Sequence, residues 1–172
     1  MCKPLACAFR AELANGREHT SLVAARFNLW LGFLADLYPN QPSGWIPLID
    51  AQELHGSWQR HIKGMPFPVL GHPLHPWYGV YAPTRSEHLE LFSTWLRGDA
   101  GERRSAVDVG TGCGVLALLL RRAGFAAVTA TDINPNALVS VGEELQRHAV
   151  DGVELLHGDL LQGVEDNQDL IV

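Results

Sequence analysis

No stretch of this sequence stays apolar for the ~20 residues needed to cross a membrane. Even the most apolar part, Leu22 to Leu37, is interrupted by Arg26, Asn28 and Asp36. An apolar core of signal-peptide length is not found after Lys3, because Arg10 and Glu12 interrupt the segment, so a secretory leader is not expected. Cysteine is scarce: Cys2, Cys7 and Cys113 are odd in number and form no CxxC pair, a poor disulfide framework that fits a reducing compartment. Positive charge is also short, with 13 Lys and Arg against 19 Asp and Glu and a net charge of -6. That balance argues against a strong electrostatic grip on nucleic acid. The deficit is local, since residues 1–98 carry 8 basic and 7 acidic side chains while residues 99–172 carry 5 and 12. Internal repeats and low-complexity tracts are absent. These absences leave a soluble, cytoplasmic protein as the expectation, with no membrane partner and a protein partner ahead of a nucleic acid.

What is present is ample for a globular enzyme. The chain has 172 residues, 47% of them hydrophobic and 19% charged, which allows one ordinary domain, or a small domain plus part of another. From Arg17 to Tyr38, Val23, Phe27, Trp30, Leu31, Leu34 and Leu37 recur at helical spacing, and Pro39 closes the run. Asp50-Ala51-Gln52-Glu53 resembles a capping box ahead of Leu54, Trp58 and Ile62 on one face, with a stop at Gly64. Residues 1–64 are thus expected to be helical. Residues 65–83 form a proline-rich connector carrying Pro66, Pro68, Pro73, Pro76 and Pro83, ordered and with room for one short hairpin. A third helix is expected from the box Thr84-Arg85-Ser86-Glu87, burying Leu89, Phe92, Trp95 and Leu96 and ending at Gly98.

Beyond Ser105 strand and helix alternate. Strands are expected at Ala106–Val109, Ala127–Thr131, Val153–His157 and Gln168–Val172, and helices at Gly114–Ala123 and Pro135–Ala149. That order predicts an α/β fold with a parallel sheet and crossover helices over residues 84–172. At the first strand-to-helix turn stand Gly110-Thr111-Gly112-Cys113-Gly114, where side-chain-free backbone admits a ligand to a helix N-terminus. The spacing is GxGxG, with Val115 where a dinucleotide fingerprint wants its third glycine, which favours a cofactor without a pyrophosphate. Asp132 follows Gly110 by 22 residues, near the ~20 expected for an acid that accepts from ribose hydroxyls. Asp159, just past the next strand, could accept from an exocyclic amine.

Together, Val107-Asp108-Val109-Gly110-Thr111-Gly112-Cys113-Gly114, Ala130-Thr131-Asp132-Ile133-Asn134 and Gly158-Asp159-Leu160 resemble the motifs of class I S-adenosylmethionine-dependent methyltransferases, which have a Rossmann-like core. The resemblance covers the last ~40% of the chain, and three ordered motifs make it more specific than any one. It implies that Gly110, Gly112 and Gly114, with Thr111, flank the methionine part of S-adenosyl-L-methionine. It also implies that Asp108 orients the loop or meets the amino group through water. Asp132 would hold the ribose, Ile133 and Leu160 would border the adenine, and Asp159 would meet its amine. Thr131-Asp132-Ile133-Asn134-Pro135-Asn136-Ala137, with the upstream Pro83-Thr84-Arg85-Ser86-Glu87, is most similar to the branch methylating amide or amino nitrogens. That branch includes the release-factor glutamine methyltransferases and other small-domain enzymes.

The resemblance further implies an acceptor motif, Asn/Asp-Pro-Pro-Tyr/Phe, directly after the fourth strand. The sequence ends at Asp169-Leu170-Ile171-Val172, and four of the seven strands of such domains are found. An incomplete core is the expectation, with catalytic residues unassigned. Methyl transfer to a protein glutamine is the leading function. An RNA or DNA base methyltransferase and a non-catalytic cofactor-binding remnant or interaction module are the alternatives. Individual residues also have plainer readings. Asp132 could cap the helix beginning at Asn134 and Pro135, Asp159 could be turn chemistry, and Asp108 could be a buried acid bonded to backbone. Cys113 reads as a packing residue, and Trp77, Tyr78 and Tyr81 as core. His72 and His75, with His55 and His61 upstream, lack the convergence a metal needs, so no metal is expected.

Overall fold

The structure, a computed structural model, describes residues 48–164 and 167–172. The chain divides into two compact units, Met1–Ile62 and Lys63–Val172. The helix expected over Arg17–Tyr38 lies outside the described residues. The described part of the first unit, residues 48–62, is all but the last residue of helix α1, Leu48–Lys63. It starts two residues ahead of Asp50, which therefore lies inside the first turn rather than at the cap. Leu54 is buried, but Ile62 is exposed and leaves the apolar face expected for it.

The second unit opens on a hairpin. Strand β1 (Met65–Phe67) pairs antiparallel with β2 (His72–Leu74). Pro66 lies opposite Pro73 in that ladder, tolerable because the strands are three residues long and have no other neighbours in their sheet. Helix α2, Glu87–Gly98, buries Leu89 and Leu96. Its expected Thr84–Glu87 box does not form: Ser86 is the N-cap and makes no side-chain cap bond, its hydroxyl donating instead to Glu90 Oε1 at 3.1 Å. Trp95 is also 49% exposed, stacked on Phe92 with ring centroids 5.9 Å apart, rather than buried as expected.

The remaining elements alternate as the sequence predicts: β3 (Ser105–Val109), α3 (Val115–Arg122), β4 (Ala127–Asp132), α4 (Pro135–Arg147), β5 (Val153–His157) and β6 (Leu170–Ile171). All four strands are parallel, in the order β5-β4-β3-β6. The chain therefore steps outward from β3 to β5 and returns to the other side of β3. Between β3 and β6 lies the topological switch point at whose carboxyl end ligands bind in open α/β sheets. Strand β6 is shorter than the expected Gln168–Val172. Helix α3 buries Val115, Ala117, Leu118, Leu119 and Leu120, and so serves as a core helix apolar around most of its girth.

Helix α4 buries a stripe at Ala137, Ser140, Val141, Glu144 and Leu145, the i, i+3, i+4, i+7 spacing of one helix face. Its two polar members are buried because a strap, residues 75–82, runs over them. The His75 amide donates to Glu144 Oε1 (3.0 Å), and the Trp77 amide to Ser140 Oγ (3.4 Å). Trp77 Nε1 donates to Glu143 Oε2 (2.9 Å), and Asn134 Nδ2 to the Gly79 carbonyl (3.0 Å). The strap thus travels toward the N-terminus of α4, where the sheet's carboxyl ends lie. Glu144 Oε2 also faces His148 Nε2 at 3.3 Å, and the His148 ring stacks on His72 at 3.7 Å, fastening the hairpin to the end of the same helix.

Candidate functional site

The loop between β3 and α3 is held by bonds from four directions. Asp108, at the end of β3, is buried, and its Oδ2 accepts from the Thr111 hydroxyl (2.7 Å) and the Ala117 amide (2.9 Å). Burial pushes its carboxyl up to about 6, against the pull of those two bonds. The Thr111 amide donates to the Thr131 carbonyl on β4 (2.8 Å), and the Cys113 amide to the Tyr81 carbonyl on the strap (2.9 Å). The Gly112 amide donates to Asp132 Oδ2 (2.9 Å). Burial pushes the Cys113 thiol up to about 12, so the side chain packs and offers no thiolate.

The three glycines differ in what they do. All have positive φ, 70° at Gly110, 52° at Gly112 and 82° at Gly114. A Cβ at Gly112 would lie 2.7 Å from the Tyr81 carbonyl oxygen, and one at Gly114 would lie 2.8 Å from Val141 Cγ2. Nothing comes within 4 Å of a Cβ at Gly110. Gly112 and Gly114 therefore let the strap and α4 close on the loop, while Gly110 leaves its exposed side open.

Asp132 ends β4 beside this loop. Its second oxygen, Oδ1, accepts from the Asn134 amide (2.8 Å). The cap of α4 is Asn134, whose Oδ1 accepts from the Asn136 amide (3.0 Å), so Asp132 is not the cap. Each Asp132 oxygen keeps lone-pair capacity for another donor. On the far side, the Thr131 hydroxyl donates to the Leu160 carbonyl (3.0 Å) and the Gly158 amide to the Asp132 carbonyl (3.2 Å). These bonds draw the β5 loop toward β4. His157 Nε2 lies 3.0 Å from the Ile133 carbonyl. Asp159 is exposed, and its carbonyl accepts from the Gln162 amide to close a turn. Ile133 and Leu160 are each 68% exposed.

The cofactor-binding candidates of the sequence, Asp108, Gly110, Thr111, Gly112, Gly114, Asp132, Ile133, Asp159 and Leu160, lie at or just beyond the carboxyl ends of three adjacent parallel strands, β3, β4 and β5. The strap's contribution was missed there. Trp77 and Tyr78 are half-buried and Tyr81 is 73% exposed; the Tyr81 main chain, not its ring, meets the loop. The available signal was the polar row Asn136, Ser140 and Glu144 at four-residue spacing on α4, which has to be satisfied once buried. Among the described residues no three His, Cys, Asp or Glu side chains gather as a metal site, and no helix is long and apolar enough to cross a membrane.

A glycine loop with an open side at the switch point of a parallel sheet stands where open α/β proteins bind their ligands, and comparison with known proteins narrows the class. Residues 88–172 match the family model described as the methyltransferase small domain. This stretch of the chain belongs to that family, and its core is the Rossmann-like core of class I S-adenosylmethionine-dependent methyltransferases. A ribosomal protein L11 methyltransferase of Exiguobacterium sp. is 34% identical over 143 residues, covering 72% of this chain and 45% of that protein. Another, from Clostridium perfringens, is 38% identical over 65 residues, 38% of this chain and 21% of that protein. Among solved structures, precorrin 8W decarboxylase of Methanobacterium thermoautotrophicum is 31% identical with a TM-score of 0.50, over 62% of this chain and 55% of that one. The chain spans less than half the length of the curated relatives it matches.

Proposed function

We propose that this domain binds S-adenosylmethionine across the carboxyl ends of β3, β4 and β5 and serves methyl transfer to a nitrogen on a protein. The observation that carries the reading is the convergence of the open side of Gly110, the Asp132 carboxylate and the exposed Ile133 and Leu160 at one end of a sheet that matches this family. The residues fit the group. A carboxylate with spare lone pairs suits the two ribose hydroxyls, and two exposed aliphatic side chains suit the faces of a flat ring. Asp159 is free in space to accept from the adenine amine. Asp108 accepts from Thr111 and Ala117 through Oδ2, so its part is to hold the loop. When bound, the cofactor supplies a methyl group already activated on a sulfonium, which leaves orientation and water exclusion to the protein.

The relatives' names point to a ribosomal protein as acceptor, and the acidic balance of residues 99–172 disfavours a nucleic acid. The finer assignment, a glutamine side-chain nitrogen, rests on the motif style of Thr131–Ala137.

Calorimetry of the 172-residue chain with S-adenosylmethionine and S-adenosylhomocysteine tests the reading. Affinity no tighter than millimolar refutes it. In a chain that binds, Asp132→Ala is expected to weaken affinity about 10- to 100-fold, the size of a lost charged hydrogen bond. Because that change also frees the Gly112 amide, Ile133→Ser is the cleaner partner: Ile133 is exposed, so stability holds while affinity falls several-fold. Unchanged affinity in both variants removes the assigned adenosyl subsite.

A further inference from the structure

Four amides of the cofactor loop, those of Thr111 to Gly114, do not share one source of support. Three are satisfied within the sheet and loop: Thr111 by the Thr131 carbonyl, Gly112 by the Asp132 carboxylate, and Gly114 by the Thr111 carbonyl. The fourth, Cys113, is buried, and its amide reaches outside to the Tyr81 carbonyl. A buried amide stripped of its acceptor bears the full desolvation penalty, so the loop's shape at Gly112 and Cys113 depends on where the strap puts Tyr81.

Trp77 governs that placement from both of its ends. Its indole donates to the Glu143 carboxylate at 2.9 Å, a charge-assisted bond and among the shortest between the strap and α4. Its carbonyl accepts from the Val80 amide (3.2 Å), closing a turn with Gly79 at φ 73° that delivers Tyr81 to the loop. The neighbouring links are longer and join neutral amides to strap carbonyls: Asn134 Nδ2 to the Gly79 carbonyl is 3.0 Å, and Asn136 Nδ2 to the Tyr78 carbonyl is 3.5 Å.

Resting on the cofactor reading above, we propose that Trp77 and Glu143 are positioning residues for the cofactor loop. Neither touches the cofactor. They fix the strap on α4 so that the Tyr81 carbonyl holds the Cys113 amide and the turn at Gly112 in their binding shape.

Amide hydrogen exchange of the ligand-free chain, read residue by residue, tests this with three variants. Trp77→Phe removes the donor and Glu143→Leu the acceptor, whereas Glu143→Gln keeps a carbonyl oxygen that accepts the indole proton. The first two are expected to speed exchange of the Cys113 amide about tenfold. The Thr111 and Ala117 amides, held by Thr131 and Asp108, should stay as they are, and Glu143→Gln should resemble the parent. Affinity for S-adenosylhomocysteine should fall by a similar factor in the first two variants alone. Unchanged exchange at Cys113, or equal acceleration at Thr111, Ala117 and Cys113, overturns the proposal. Selective acceleration in a chain that binds no cofactor supports the strap linkage and refutes the cofactor reading instead.

Discussion

The two ends of the sheet are built on opposite terms. At the amino end, charges are spent on backbone. The Arg103 guanidinium meets the carbonyls of Ala123, Leu96 and Asp99, and Arg121 meets those of Phe125, Ala126 and Asp151. These bonds satisfy carbonyls left open where α2 and α3 end. Asp169 accepts from the Arg104 amide at 2.7 Å and pairs with its guanidinium, which holds its carboxyl down to about 2. At the carboxyl end, the acid is buried without a cation, the loop has an open face, and aliphatic side chains stand in solvent. An end that saturates its polar groups contributes stability, and an end that leaves capacity unspent is where a ligand gains from filling it.

Three changes would break or sharpen that contrast. The largest effect belongs to Gly114→Ala. The new Cβ would meet Val141 and take an unfavourable φ, so urea denaturation should show a loss of roughly 3 kcal/mol; a loss under about 1 kcal/mol would mean that α4 does not press on the loop as described. Next comes Asp108→Asn. With a folded pKa near 6 against about 4 unfolded, the folded state holds the extra proton between these values. Stability is fullest below pH 4 and falls, on the order of 2–3 kcal/mol, as pH rises to 6. The asparagine variant still accepts from Thr111 and Ala117 and should lack that slope in pH-resolved denaturation; a persisting slope would assign it elsewhere. The smallest effect is expected for Asp169→Asn, at the solvated end. There the parent's stability is present above about pH 4 and lost as pH falls toward 2. The variant should flatten only this acid limb, and a change confined to pH 4–6 would contradict the assignment.

Much of the second unit was legible because its signals are local. Strand β5 runs over Val153–His157 as expected, and α4 starts at Pro135 behind Asn134, a Pro at N1 after an Asn cap. The placement of the candidate site residues was legible for the same reason: a glycine loop after one strand and an acid after the next are fixed by sequence order once the strands are parallel neighbours. Local signals failed where a side chain had two choices. Ser86 turns its hydroxyl to Glu90 instead of capping α2, and Trp95 stacks on Phe92 instead of entering the core. In each case a competing contact, invisible to periodicity, is the one made.

The sequence by itself determined that residues 105–172 alternate strand and helix and that Gly110, Asp132 and Asp159 fall at the ends of successive strands. Periodicity and turn chemistry act over a few residues and need no partner. Only the tertiary structure decided that β6 returns beside β3 and that the proline-rich connector becomes a strap seated on α4 and the glycine loop. The bonds that hold the strap on α4 join residues 55 to 69 positions apart. Such pairings carry no repeat to read, and they are selected by the need to satisfy buried polar groups once the helix is in place.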